Sequence, residues 1–271
     1  MGSVDMLRSI RRRAVGIVAP LVCAVILSGC GLFAEEPDPT LGWSAQRLYD
    51  AGKASLDEGS YQDALRFYQK LEARYPFGPY ATQAQIESAY AYYKENEPAS
   101  SVAAADRFIK LHPQHPNVDY AHYLKGLSQF EQGRGFIDQL LPLDPSERDP
   151  GLALQSFEAF GQLVERFPSS KYAEDARKRM LFLRNNLAKH ELHVADYYMR
   201  REAFVAAANR ARFVVENYDT TPSVPDALVI MAKAYKVMQM DDLSADALRV
   251  LKLNYPEHAG IGEVERLLIT N

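Results

Sequence analysis

Cysteine is scarce in this chain. Two among 271 residues are too few for a disulfide framework or a cysteine-built zinc site. Tryptophan occurs once, and glycine and proline fifteen times each, which excludes collagen and low-complexity disorder. There is no excess of positive charge either: 31 Lys+Arg stand against 35 Asp+Glu, a formal −4. A nucleic-acid partner usually wants a basic face, so none is expected. No phosphate loop, G-x-S-x-G or HExxH motif occurs. Repeated long apolar runs are missing as well, which excludes a multi-span membrane protein. What remains, 47% hydrophobic and 24% charged, is an ordinary globular mixture.

One apolar run does stand out near the start. Arg8, Arg11, Arg12 and Arg13 form a basic segment, and Ala14 to Leu27 is apolar apart from Gly16 and Pro20. A core of about 14 residues is short for a spanning helix but suits an export signal. The signal carries four basic residues and one acid (Asp5), so its removal leaves 27 Lys+Arg against 34 Asp+Glu, net −7. The core ends Leu27-Ser28-Gly29-Cys30, which resembles the bacterial lipobox. That resemblance implies cleavage before Cys30 and acyl chains on its thiol and amine, enough to hold the protein on a membrane without a spanning helix. The alternative is cleavage after another small residue, leaving Cys30 a free thiol. Gly31 is not the aspartate that signals inner-membrane retention in enterobacterial lipoproteins, so the implied address is the outer membrane, facing the periplasm.

Beyond a tether, GLFAEEPDPTLGW at 31–43, the dominant period is helical. Ala64, Tyr68, Leu71 and Tyr75 step by 4, 3 and 4, and a longer series from Tyr172 to Tyr197 does the same. Long alternating runs that would predict strands are absent, so the fold is expected to be all-α. A small residue recurs at Gly52, Ala89, Gly126, Ala195 and Ala232, at intervals of 37, 37, 69 and 37. A closing dipeptide follows each: Tyr75-Pro76, His112-Pro113, Phe167-Pro168, Tyr218-Asp219 and Tyr255-Pro256. One 37-residue period explains the chain if unit three holds 18 extra residues and unit four opens with 14 more; the interval of 69 is 37+18+14. The insertion, 133–150, holds two Gly and three Pro and reads as loop. No Pro or Gly occurs from Ser169 to Thr221, which predicts a helix of roughly 30 residues, about 45 Å long.

This pattern resembles the tetratricopeptide repeat, a helix pair whose small residue lets helix A meet helix B. The expected fold is therefore a superhelical solenoid of five such pairs, with an insertion in repeat three and a long helix opening repeat four. It divides the chain into a signal peptide (1–29), a lipidated cysteine and tether (30–43), N-terminal repeats (44–132), an insertion loop (133–150) and C-terminal repeats (151–271).

In such solenoids the A helices line a concave face. The tetratricopeptide offsets place Tyr49, Lys53, Tyr90, Tyr93, Tyr120, Tyr123 and Phe130 there in units one to three, with Lys94 alongside. Units four and five offer a more charged lining, Lys189, Asp196, Asp226, Lys233 and Lys236 among it. Aromatics with a polar tip suit an extended, aromatic-bearing peptide; they equally suit packing between units, and the sequence supports both. His190 and His193 share a helix face, as metal ligands or, more simply, as packing side chains. Glu87-Ser88 is similar to the Glu-Ser of lytic transglycosylases, but that enzyme's other motifs are missing. No catalytic residue, metal or cofactor beyond the lipid is expected.

Particular strings go further than the generic repeat. RYPFGPY at 74–80, YAYYK at 90–94, DRFIKLHP at 106–113, HPNVDY at 115–120, LAKHE at 187–191 and YYMRREAF at 197–204 together resemble the BamD (ComL) family of β-barrel assembly lipoproteins. The resemblance implies a non-catalytic scaffold on the outer membrane that receives unfolded outer-membrane proteins. It implies docking on the POTRA domains of a BamA-like β-barrel protein, and BamC-like and BamE-like lipoproteins as further partners. An arginine linked to the BamA contact maps to Arg201, with Lys233 and Lys236 on the same C-terminal half. Glu202 stands where relatives often carry glycine, so a local difference in the turn at 200–203 is expected. A different periplasm-facing scaffold lipoprotein remains the alternative of the same class.

Overall fold

A computed structural model describes residues 38–134 and 144–267. The signal peptide, Cys30 and residues 135–143 of the expected insertion lie outside them. Residues 38–44 belong to a first unit and form a turn, in which Asp38 accepts hydrogen bonds from the Thr40 amide and hydroxyl at 3.0 and 2.9 Å.

The second unit is helical, and among the described residues there is no strand. Its helices are α1 (Ala45–Asp57) and α2 (Tyr61–Arg74), α3 (Pro79–Lys94) and α4 (Pro98–Leu111), and α5 (Val118–Arg134) and α6 (Gly151–Arg166). Then come α7 (Ala173–Arg200) and α8 (Phe204–Asn217), α9 (Val224–Val237) and α10 (Asp241–Asn254), and a short α11 (Gly260–Arg266). The first ten are the five expected pairs. Each helix packs on the one before and the one after it. The helix predicted to open repeat four is α7, 28 residues and about 42 Å long. Helix α5 runs to Arg134, one residue past the start of the expected insertion, and the rest of the described insertion holds a 3-10 turn at Pro145–Glu147. The period does not call for α11.

Why these residues make pairs is visible at each crossing. A Cβ on Gly52 would lie 2.5 Å from the Tyr68 ring, and one on Gly126 2.6 Å from the Phe160 ring. Glycine at these positions is a steric requirement, because a flat ring occupies the space. Ala89, Ala195 and Ala232 are fully buried at the equivalent crossings. Twelve residues after the small residue (thirty across the insertion), Ser101, Ser156 and Ser244 donate their hydroxyls to the Ala89, Gly126 and Ala232 carbonyls, each at 2.9 Å. Ala64 and Ala207 take that place in units one and four, also fully buried. A buried hydroxyl left without a partner would cost about 1–3 kcal/mol, so serine is tolerated only because it bonds across the pair. Nineteen residues after the small one (37 across the insertion), Leu71, Phe108, Leu163, Val214 and Leu251 are all fully buried, each worth about 1.5–3 kcal/mol.

The turns repeat too. Seven residues after the small position, Gly59, Asn96, Glu202 and Gln239 have φ of 80°, 59°, 60° and 59°. The next amide reaches back to the carbonyl five residues earlier: Ser60 to Ser55 at 2.8 Å, Glu97 to Tyr92 at 2.9 Å, Ala203 to Tyr198 at 3.0 Å and Met240 to Tyr235 at 2.9 Å. This is the Schellman closure of a helix, which suits glycine best. The turn at 200–203 therefore closes as its counterparts in units one, two and five do. Glu202 simply adopts the left-handed backbone that Gly59 holds, at a cost of about 1 kcal/mol.

Candidate functional site

Helices α3 and α5, with the turn that leads into α7, border a cleft of about 790 Å³, floored by Ile86 and edged by the turns 113–117 and 167–172. Of the aromatics expected on the concave face, Tyr90 and Tyr120 line it. Tyr172, Gln83, Glu87 and Lys171 line it as well. The Tyr120 and Tyr172 rings lie 5.2 Å apart, while Tyr90 meets Tyr61 edge-on at 6.3 Å. Burial, then the neighbouring Tyr172, pushes the Tyr120 phenol well above its ordinary pKa. It therefore stays neutral and able to donate a hydrogen bond.

The other expected groove tyrosines are taken up between units. Tyr49 and Tyr68 both donate to Glu87, at 3.0 and 2.5 Å, and Gln83 adds a third bond at 2.9 Å. Burial and the Glu87 carboxylate together raise the phenol pKa of both tyrosines. Tyr123 stacks on Tyr172 with centroids 4.8 Å apart and planes 17° apart. Its hydroxyl donates to Asp175 at 2.7 Å; burial and that bond push its pKa up to about 12. Tyr93 is half-buried between two core clusters. Phe130 is buried beside Phe182 and beneath Arg179, which lies 5.1 Å from its ring. Lys94 is exposed, 5.8 Å over the Tyr61 ring, and Lys53 pairs with Asp57 on its own helix. The aromatic set thus divides between the cleft lining and the packing between helices, with Tyr49 and Tyr123 held in the packing by the acids Glu87 and Asp175. Their pairing with hydroxyls tens of residues away carries no local sequence signal.

Units four and five form a second cleft, of about 510 Å³, which gathers Lys189, Asp196, Asp226 and Lys233 over Leu192, Val229 and Ile230. Here the unexpected α11 intervenes. Lys233 pairs with Glu263 at 2.5 Å, and Lys236 donates to the Val264 carbonyl at 3.1 Å. A Cβ on Gly260 would lie 2.3 Å from Val229, so α11 sits hard against α9. Arg201 is exposed at the end of α7, its amide bonded to the Tyr197 and Tyr198 carbonyls at 3.1 Å.

His190 and His193 hold the insertion. His190 Nδ1 donates to the Ser146 carbonyl at 2.9 Å, which fixes where that ring carries its proton. His193 Nε2 meets the Ser146 hydroxyl at 3.0 Å. Lys189 binds Asp144, and its hydrogen bond, with two more from Ser146, holds the Asp144 carboxyl well below the usual range. These side chains clasp a turn, and among the described residues no cluster has the makings of a metal site. Nor, among them, is any helix long and apolar enough to cross a membrane.

Known proteins resemble the chain over most of its length. The family described as YfiO, outer membrane lipoprotein, matches residues 43–251. The outer membrane protein assembly factor BamD of Neisseria meningitidis serogroup B is 42% identical over 244 residues, covering 89% of this chain and 91% of that protein. The protein of the same name from Xylella fastidiosa strain Temecula1 is 37% identical over 238 residues, covering 88% and 81%. That from Vibrio cholerae is 35% identical over 234 residues, covering 86% and 96%. Among solved structures, a thermophilic TPR protein of Thermus thermophilus aligns at 13% identity and a TM-score of 0.37, covering 83% of this chain and 100% of that one.

Proposed function

The chain belongs to the YfiO family of outer membrane lipoproteins, with BamD proteins among its relatives, and from that premise we propose that it is a non-catalytic scaffold for assembling outer-membrane proteins. Cys30 carries the lipid that holds it to the outer membrane, on the periplasmic side. Its cleft between α3, α5 and the turn before α7 receives an extended segment of an unfolded outer-membrane protein. Its C-terminal half, through Arg201 and neighbours, docks on the POTRA domains of a BamA-like β-barrel protein. BamC-like and BamE-like lipoproteins complete the assembly. Substrate capture thereby occurs beside the site of insertion.

The observation that carries the reading is the cleft itself. Tyr90, Tyr120 and Tyr172 offer ring faces for aromatic side chains, while Gln83 and Asn117 supply polar edges for a backbone. Glu87 would be the acid of a transglycosylase, but it already accepts from Tyr49, Tyr68 and Gln83, an arrangement suited to locking helices. The test is the affinity of purified protein for a strand peptide from an outer-membrane β-barrel. Tyr90→Ala with Tyr120→Ala should weaken it by about tenfold or more, the scale of losing one aromatic anchor. Unchanged affinity in a variant with intact helical circular dichroism would remove the cleft from the account.

A further inference from the structure

The segment RYPFGPY plays no part in the cleft, yet it makes the most exposed large apolar side chain among the described residues. Phe77 is 89% exposed at the tip of the turn between α2 and α3. Pro76 and Pro79 flank it and Gly78 takes φ 106°, so the backbone presents the ring rather than folding it away. The helices alternate in direction, so every turn that joins one pair to the next lies on the edge where α1 begins. Tyr49 near the start of α1 and Tyr80 at the start of α3 are 5.5 Å apart, and the next two joining turns border one cleft. On this edge Leu111 is 53% exposed, and Lys110, Arg166, Lys171 and Arg177 are exposed around it, with Glu165 and Glu174 the exposed acids. The opposite edge of the first two units has the other sign: its turns carry Asp57, Glu58, Glu95 and Glu97.

We propose that the joining-turn edge of units one to three lies on the phospholipid surface, with Phe77 and Leu111 entering the interface and the four cations facing anionic headgroups. This rests on the lipid at Cys30. Fourteen residues lie between Cys30 and Ala45, a reach of at most about 50 Å, and they join the domain at this edge. The anchor therefore delivers the apolar and basic side to the bilayer and turns the acidic side away. Exposed aromatics beside cations are the usual composition of an interfacial contact.

The experiment uses the mature lipidated protein in vesicles of phosphatidylethanolamine and phosphatidylglycerol with brominated acyl chains. Trp43 is the single tryptophan, so Trp43→Phe provides a dark background. Phe77→Trp in that background should show blue-shifted emission and strong quenching by the brominated chains. Ala99→Trp, on the exposed first turn of α4 at the opposite edge, should show neither. Lys110→Glu with Lys171→Glu should reduce the Phe77→Trp quenching. Protein that floats with the vesicles yet leaves Phe77→Trp unquenched, or quenches both probes alike, overturns the edge-on contact alone. Protein that fails to float overturns the lipid anchor and the contact together.

Discussion

Units one and three seat an aromatic ring on a glycine at their helix crossings, whereas unit four sets Ala195 among Ala207 and Ala211, and unit five sets Ala232 among Ala247 and Leu251. The difference extends to the tyrosines that tie the helices. In the first half tyrosine hydroxyls meet carboxylates, at Glu87 and Asp175. Ion pairs join helices in both halves, Arg107 with Glu72 and Lys125 with Asp106 in the first, Arg210 with Glu191, Lys233 with Glu263 and Lys252 with Glu265 in the second. One repeat frame thus carries two chemistries, because the frame needs only a small residue, a buried residue nineteen later and a left-handed turn. Everything else is free to diverge, and it diverges into an aromatic cleft and a charged one.

The comparison breaks most sharply in acid. Among the described residues His122, in unit three, is the buried histidine, 2% exposed. Burial, with Arg166 and Lys125 nearby, pushes its pKa down to about 4 from an ordinary 6.5. Below pH 6.5 the unfolded chain takes up a proton that the folded site refuses. Stability therefore falls as pH drops from 6.5 towards 4 and is unaffected above that range. The loss approaches about 3 kcal/mol, and hydrogen exchange at pH 7 and pH 4.5 should show units two and three opening first. His122→Gln should flatten the difference; equal loss in both halves would contradict it.

A smaller effect sharpens the comparison from the other side. Glu202→Gly places glycine where the backbone is already left-handed and should raise stability by about 1 kcal/mol, read as a shift of the denaturant midpoint. The gain should appear as slower exchange in α7 and α8 while the first three units stay unchanged. Destabilisation would mean that the Glu202 side chain makes a contact the turn depends on.

Much of the frame was legible in sequence because each of its requirements is a single residue at a fixed offset. The 37-residue period placed Gly52 and Gly126 at helix crossings, and the stretch without proline or glycine announced α7. The serines at 101, 156 and 244 and the turn residues 59, 96, 202 and 239 also keep fixed offsets, and those regularities were there to be read. Other features have no such signature. Helix α11 is seven residues long and held by Gly260 and three lysine contacts, too short for periodicity to mark. The division of tyrosines between cleft and packing depends on partners 19 to 52 residues away. The histidine clasp joins residues 44 and 47 apart, so spacing on α7 alone favoured packing side chains without showing the turn they hold.

The central claim is that this helical-repeat lipoprotein works within the outer-membrane assembly machinery. Its most direct test is purification of the tagged chain from detergent-solubilised outer membranes, with mass spectrometry of the proteins that accompany it in stoichiometric amount. The account predicts a large β-barrel protein bearing periplasmic repeat domains. The chain recovered from the outer membrane without such a protein would contradict it.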